Sequence, residues 1–449
     1  MKRKKVFSCN KAINGIDFAQ GMCYDTSCNL FLEMIFLVRK RYSAKAIVAL
    51  CTIAYFASYF SRKTFSVVMV NMLESGAIDR DVAGIVGTAL FVFYGAGQLI
   101  SGYMGDKFSP KYLMFSGLMV SALCNFLLPI VPNQYLMIPV WALNGFAQAL
   151  LWPPIVRILA DSLSHEKYVT ANLIVTCGAH VSTIVLYLYA PLCIKWWSYK
   201  AVYFSSTVFC LVAGAIFLIS MSFVLGKKEK DAQPAVQPKA ELVQGSVWQV
   251  FCRSGVLPIF VCIMVMGFMR DGIESWLPTL YSEAFNRDSS ESILVSVALP
   301  IFSIISLFLI RFIHKGKVFN NEARGTGILF ALSIVLCIPF ACLISVSHTA
   351  ARVICLLLAG VISACMHSVN FLLISCLPGR FAGTGKTSTV SGFCNACTYI
   401  GAAASMYGIA LISDAFGWTV TTISWMVILA VGVAFACIAF KKYTKFLEK

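Results

Sequence analysis

Arg62 and Arg270 each lie deep inside an otherwise apolar run, Arg62 with Lys63 beside it and Arg270 with Asp271 and Glu274 close behind. A guanidinium does not shed its proton, and its planar donors match phosphate or carboxylate in bidentate fashion. At a helix centre in a membrane such a charge costs about 2.5–3.5 kcal/mol or more, so its presence argues for a task. Two such cations facing one cavity repel each other unless negative charge intervenes. A dianionic ligand is one resolution. The other is neutralisation within the protein by Asp271 or Glu274; Glu274 follows Arg270 by four residues and shares its helical face. Lys63, next to Arg62, points about 100° away around the helix and either meets the ligand or pairs elsewhere.

Tyr55, Tyr59 and Arg62 fall at i, i+4 and i+7, one stripe of one helix. Hydroxyls along the stripe that carries the arginine suit a wet cavity wall; packing tyrosines are the plainer reading. His180 sits well inside another apolar run, where an imidazole either donates to an anion or is a satisfied core residue. His367 has the same two readings.

Membrane spans are the elements that must position these side chains. The chain has 449 residues, 59% hydrophobic and only 12% charged, against about 45–50% and about 25% in soluble domains. That balance excludes a disordered chain, a disulfide scaffold and a nucleic-acid-binding protein. Since about 20 apolar residues cross a bilayer as a helix, the sequence predicts twelve spans. They run over 44–72, 82–103, 111–131, 135–160, 169–193 and 201–225, then 255–280, 291–313, 324–346, 350–376, 383–412 and 416–440. A polar stretch from Gly226 to Gly245, with Lys227, Lys228 and Lys230, divides them six and six.

The net charge of +16 falls unevenly. Lys107, Lys111, Lys167, Arg311, Lys315, Lys317 and Lys441 share the linker's side, whereas the opposite loops carry Glu74, Asp79, Asp81, Glu283 and Glu291. By the positive-inside rule, both termini and the linker are cytoplasmic. The basic N-terminus lacks the apolar core of a cleavable signal peptide. The cysteines, Cys394 and Cys397 among them, lie mostly in apolar runs and read as packing residues rather than metal ligands. No cofactor is expected. Gly383 to Thr387 lacks the spacing of a P-loop and opens a membrane helix.

Several motifs point further. Gly102-Tyr-Met-Gly105-Asp106-Lys107-Phe-Ser109-Pro110-Lys111 resembles the loop signature of the major facilitator superfamily; Asp106 and Lys107 there can latch neighbouring helix ends and so speak to gating. Tyr59-Phe-Ser-Arg62-Lys63-Thr-Phe65 is similar to the Arg-Lys-x-Phe segment of the organophosphate:phosphate antiporters, which include glycerol-3-phosphate and hexose-6-phosphate transporters. Trp152-Pro153-Pro154 with Arg157, Arg270-x-Gly272 with Trp276-x-Pro278, Ala382-Gly383-Thr384 with Gly392 and Tyr399, and Phe416-Gly417-Trp418 follow that family's order from about residue 44 to 440. The resemblance implies that Arg62 and Arg270 bind the phosphoryl group, with His180, Tyr55, Tyr59 and Tyr399 shaping the site. The sequence departs from the family at Gln98, at Thr176-Cys177, at Asp271 where a tyrosine is usual, and at Ser275 where an acid is expected.

The expectation is therefore an all-α membrane protein of twelve transmembrane helices in two pseudo-symmetric halves, and not an enzyme. A tail at 1–43, a half at 44–225, a linker at 226–250, a second half at 251–440 and a tail at 441–449 make up the chain. It would reside in the cell (inner) membrane, an architecture that can work as a monomer. It would exchange an organic phosphate for inorganic phosphate by alternating access. The alternatives are a proton-coupled organic-anion symporter using Asp271 or Glu274, and a transporter-like sugar-phosphate sensor.

Overall fold

The computed structural model describes residues 26–163, 165–225, 247–313, 316, 319–346, 348–384 and 387–448. Most of the linker, together with the side chains of Asp106 and Lys107 at the end of the helix Arg80–Lys107, lies outside the described residues. Helices dominate and no strand occurs among the described residues. In a hydrocarbon medium this is how backbone amides find partners within their own segment.

The first six spans are α1 (Ala44–Glu74), α2 (Arg80–Ser101), α3 (Pro110–Ile130), α4 (Gln134–Ser162), α5 (Thr170–Trp196) and α6 (Tyr199–Val224). The next four are α7 (Leu257–Phe285), α8 (Ser289–Ile313), α9 (Glu322–Leu343) and α10 (Thr349–Phe381). A last continuous stretch, Val390–Leu447, is broken at Gly417 (φ 76°, ψ 177°) into α11 and α12. Gly417 is a glycine because a side chain there is strained in the left-handed region. Among the described residues ten helices pass a test of length and apolarity for crossing a membrane. That count takes the broken stretch as one and leaves out α7, which carries Arg270, Asp271 and Glu274; both fit the twelve-span reading.

Polar side chains close helix ends where the sequence supplies them. Asn321 accepts a hydrogen bond from the Arg324 amide at the start of α9, Asp288 from the Ser290 amide at α8, and His348 from the Ala350 amide at α10. Beneath α9, the buried Glu322 carboxylate accepts from Arg380 (2.8 Å) and from the Tyr443 hydroxyl (2.9 Å), tying α9, α10 and α12 at the linker end. Within α10 the hydrogen bonding widens over Phe371–Cys376, directly after Asn370. Such wide turns often sit at functional positions.

Close helix approach depends on glycine. A Cβ on Gly401 of α11 would collide with the Met264 carbonyl oxygen of α7, and one on Gly267 with the Thr398 carbonyl oxygen. Because the obstacle is backbone, little can yield. Gly401→Val is expected to destabilise the protein by about 1–3 kcal/mol or more, read as a lower unfolding midpoint in detergent. An unchanged midpoint would contradict this packing.

The two sets of six helices meet along a seam. At the end opposite the linker, Arg80 of α2 bonds to Glu283 of α7 and to Ser413 of α11 (3.1 Å), approaches Asp414 (3.7 Å) and lies over the Trp418 ring. Asn71 donates to Ser289 (2.7 Å), and Ser282 donates to Glu74 (3.1 Å). A pocket of about 310 Å³, lined by Leu73, Glu74, Asp79, Arg80 and Glu283, opens on this seam. One arginine thus gathers side chains from three helices of the second half. Arg80→Ala is expected to loosen that end, so that a membrane-impermeant thiol reagent labels a cysteine placed at Ser289 several-fold faster. Equal labelling rates would show that the other contacts suffice.

Candidate functional site

Arg62 emerges from α1 at the seam because the neighbouring Ser61 is held against α3 and α4. Ser61 joins a buried polar knot with Ser121 and Asn125 of α3 and Gln148 of α4, while Ser58 bonds to Gln148 and Asn144 accepts from Ser121 (2.7 Å). The knot pins α1 to α3 and α4 at the depth of Arg62, and at 100° per residue it turns the next side chain toward α2 and α11.

There the guanidinium of Arg62 meets aromatic faces. Its Cζ stands 4.3 Å from the Tyr94 ring centroid, 5.4 Å from Phe91, 5.6 Å from Tyr59 and 5.8 Å from Tyr399. Ring quadrupoles stabilise a cation without occupying its N–H donors in ordinary hydrogen bonds. Among the described residues no carboxylate pairs with Arg62, which is 6% exposed. On the side toward Phe65 and Ser66 the packing closes to a void of about 10 Å³, room for roughly one water.

Arg270 is differently placed. Its Nη2 donates to Asp271 (2.6 Å) and its Nη1 to the side-chain oxygen of Asn370 on α10 (2.7 Å). Both terminal nitrogens therefore already have acceptors. Of the two arginines expected to share an anion, only Arg62 lacks a carboxylate of its own. The carboxylate on Arg270 is its sequence neighbour Asp271, not the same-face Glu274.

Glu274 is drawn across the seam instead. Lys63 Nζ meets one of its oxygens at 2.6 Å and His367 Nε2 meets the other at 2.7 Å. Tyr187 of α5 donates to the Glu274 backbone carbonyl (3.3 Å). Lys63, open in the sequence between ligand and partner, has found a partner. His180 stacks edge-on against His367, ring centroids 5.0 Å apart. Tyr55 packs against Tyr59 (4.9 Å) and Trp152 (5.0 Å), lower on the stripe.

The fold thus gathers Tyr55, Tyr59, Arg62, Lys63, His180, Arg270, Asp271, Glu274 and Tyr399 around one central seam, with Tyr399 in electrostatic reach of both guanidiniums. Sequence reasoning missed Tyr94, Phe91 and Asn370, and gave His367 little weight. A signal existed for some of them. Tyr94 lies one turn before Gln98, and Asn370 follows His367 by three residues on one face. Chemically the centre holds one cation with no carboxylate in ion-pair contact among the described residues and two internal ion pairs, a place to receive negative charge.

Comparison with known proteins agrees with this architecture. At 24% identity the chain matches a probable hexose phosphate transport protein of Chlamydia trachomatis over 43% of this chain and 44% of that one. It matches a Chlamydia muridarum protein of the same description at 22% identity over 81% and 84% of the two chains. The membrane sensor protein UhpC of Salmonella typhimurium is 21% identical over 85% of this chain and 88% of its own. Among solved structures, a bacterial homologue of the human lysosomal transporter Spinster superposes with a TM-score of 0.72 at 13% identity, covering 90% of this chain and 98% of that one. The family model of the Major Facilitator Superfamily matches residues 51–406. A multi-pass helical bundle, a charged seam and that match agree: the chain belongs to the major facilitator superfamily of membrane transporters, not to a class of enzymes.

Proposed function

We propose that the chain exchanges an organic phosphate, a sugar phosphate or glycerol phosphate, for inorganic phosphate by alternating access. The observation that carries this reading is Arg62, a buried cation at the seam with aromatic faces around it and no carboxylate against it among the described residues. An incoming phosphoryl group supplies the missing negative charge, with charge-assisted hydrogen bonds at low local dielectric. Arg270 borders the same space from the second half, while Tyr55, Tyr59, His180 and Tyr399 offer polar edges to the rest of the ligand. The chlamydial relatives, named for hexose phosphate transport, support this substrate class.

The moving bodies are the halves 44–225 and 251–440, rocking about the central site, with 226–250 as linker and 1–43 and 441–449 as tails. A bound anion that touches both halves favours their approach only through contacts made in that state. Asp106 and Lys107 serve as a latch at the linker end. Both termini face the cytoplasm of a cell whose inner membrane holds the protein, in an architecture that can work as a monomer.

The similarity to UhpC favours a second reading, a sensor that binds a sugar phosphate without appreciable flux. A panel of hexose phosphates, glycerol phosphates and phosphoglycerates competing against labelled phosphate uptake in proteoliposomes separates the two. Uptake that some panel members suppress supports exchange. Binding without uptake supports the sensor, and neither removes phosphate from the site altogether.

A further inference from the structure

Charge counting at the seam narrows the guest. Lys63 and Glu274 cancel, and Arg270 and Asp271 cancel, which leaves Arg62 as the one of these three cations with no carboxylate in ion-pair contact, Asp271 being within its electrostatic reach. Each terminal nitrogen of Arg270 donates one hydrogen bond, to Asp271 Oδ2 at 2.6 Å and to Asn370 Oδ1 at 2.7 Å. The guanidinium keeps three further N–H donors, so an oxyanion docks on Arg270 either beside Asp271 or by evicting it. Docking beside Asp271, which is 4% exposed, sets the ligand's charge against a buried carboxylate, and evicting Asp271 strands that carboxylate in the same site. A dianion then places three negative charges against the two guanidiniums. A monoanion lies on Arg62 and leaves the Arg270–Asp271 pair whole.

We propose that Asp271 is the specificity-determining residue for ligand charge, and that it sets the site to accept a singly negative phosphoryl group in preference to a doubly negative one. This rests on the phosphate-binding reading above and adds the charge state of the substrate to it. Asp271 works as a resident anion on Arg270. The favoured ligands are phosphate esters in their monoanionic form, whereas dianionic forms compete with a carboxylate that cannot leave. Neutralising that carboxylate leaves the charge of Arg270 uncancelled and turns the preference toward the dianion.

The test uses two tetrahedral probes of fixed charge, sulfate with two negative charges and methyl sulfate with one, displacing labelled phosphate from the full-length protein in detergent. Unsubstituted protein is expected to bind methyl sulfate more tightly by about tenfold, a difference near 1.4 kcal/mol. Asp271→Asn is expected to reverse the order, with sulfate the tighter ligand. An Asn variant that keeps the original order overturns the role of Asp271. If that variant fails to fold, the unsubstituted protein alone still decides, because tighter binding of sulfate there overturns the proposal. Absence of phosphate binding by the unsubstituted protein instead removes the underlying reading, and the charge preference falls with it.

Discussion

Arg62→Ala is expected to lower phosphate affinity by about a hundredfold or more and to abolish exchange. Truncating one side of a buried, hydrogen-bonded charge contact typically costs 2–5 kcal/mol, about 30- to several-thousandfold. The fold should survive the change, because the aromatic faces of Phe91, Tyr94 and Tyr399 remain to pack, and no carboxylate among the described residues loses its counter-charge. Arg62→Lys separates charge from geometry. Lysine keeps the cation and loses the planar fork, so an intermediate affinity is expected. Equilibrium phosphate binding checks both variants, and near-normal affinity in Arg62→Ala would remove this residue from the site.

The second large effect concerns the ion pair across the seam. Lys63→Met leaves Glu274 with His367 alone, and Glu274→Gln leaves Lys63 with no carboxylate against it among the described residues. Removing one partner of a buried pair costs about 3–5 kcal/mol, because the other charge stays buried. Each single change is therefore expected to lower the unfolding midpoint sharply and to suppress exchange. The double change Lys63→Met with Glu274→Gln removes both charges and is expected to recover much of the stability. The double-mutant cycle measures the coupling. Additive losses would show that the two side chains do not act on one another.

The contrast between these two cations shows where sequence reading reached its limit. Arg62 and Lys63 are adjacent, and helical geometry alone sends them in different directions. Which of the two meets a protein carboxylate depends on α7, more than two hundred residues away. Periodicity along α1 therefore revealed the Tyr55, Tyr59 and Arg62 stripe but gave no sign of the Lys63–Glu274 pair. The same holds at Arg270. Spacing favoured Glu274 as its partner, since four residues make one helical turn, yet Asp271 reaches the guanidinium from the adjacent position and Asn370 of α10 fixes it from the other side.

Span boundaries were far more legible, because a continuous apolar run of fixed length is a property of local sequence. The expected 201–225 and 291–313 lie within two residues of Tyr199–Val224 and Ser289–Ile313. Local signal understated continuity at the start of the first span, whose helix begins at Thr26, and at the junction of the last two spans. At that junction the helix runs on through the polar Ser413-Asp414 pair and breaks only at Gly417. Tyr94 and Phe91 escaped notice because aromatic residues in an apolar helix look like packing until Arg62 is seen against them. Asp106 and Lys107 remain an expectation from their motif alone.

Counterflow in proteoliposomes tests the exchange most directly. Vesicles preloaded with inorganic phosphate should take up a labelled hexose phosphate or glycerol phosphate many-fold faster than empty vesicles, with the rate unchanged when a protonophore collapses the pH gradient. Uptake indifferent to internal phosphate and lost with the gradient would contradict exchange and make the protein a proton-driven symporter.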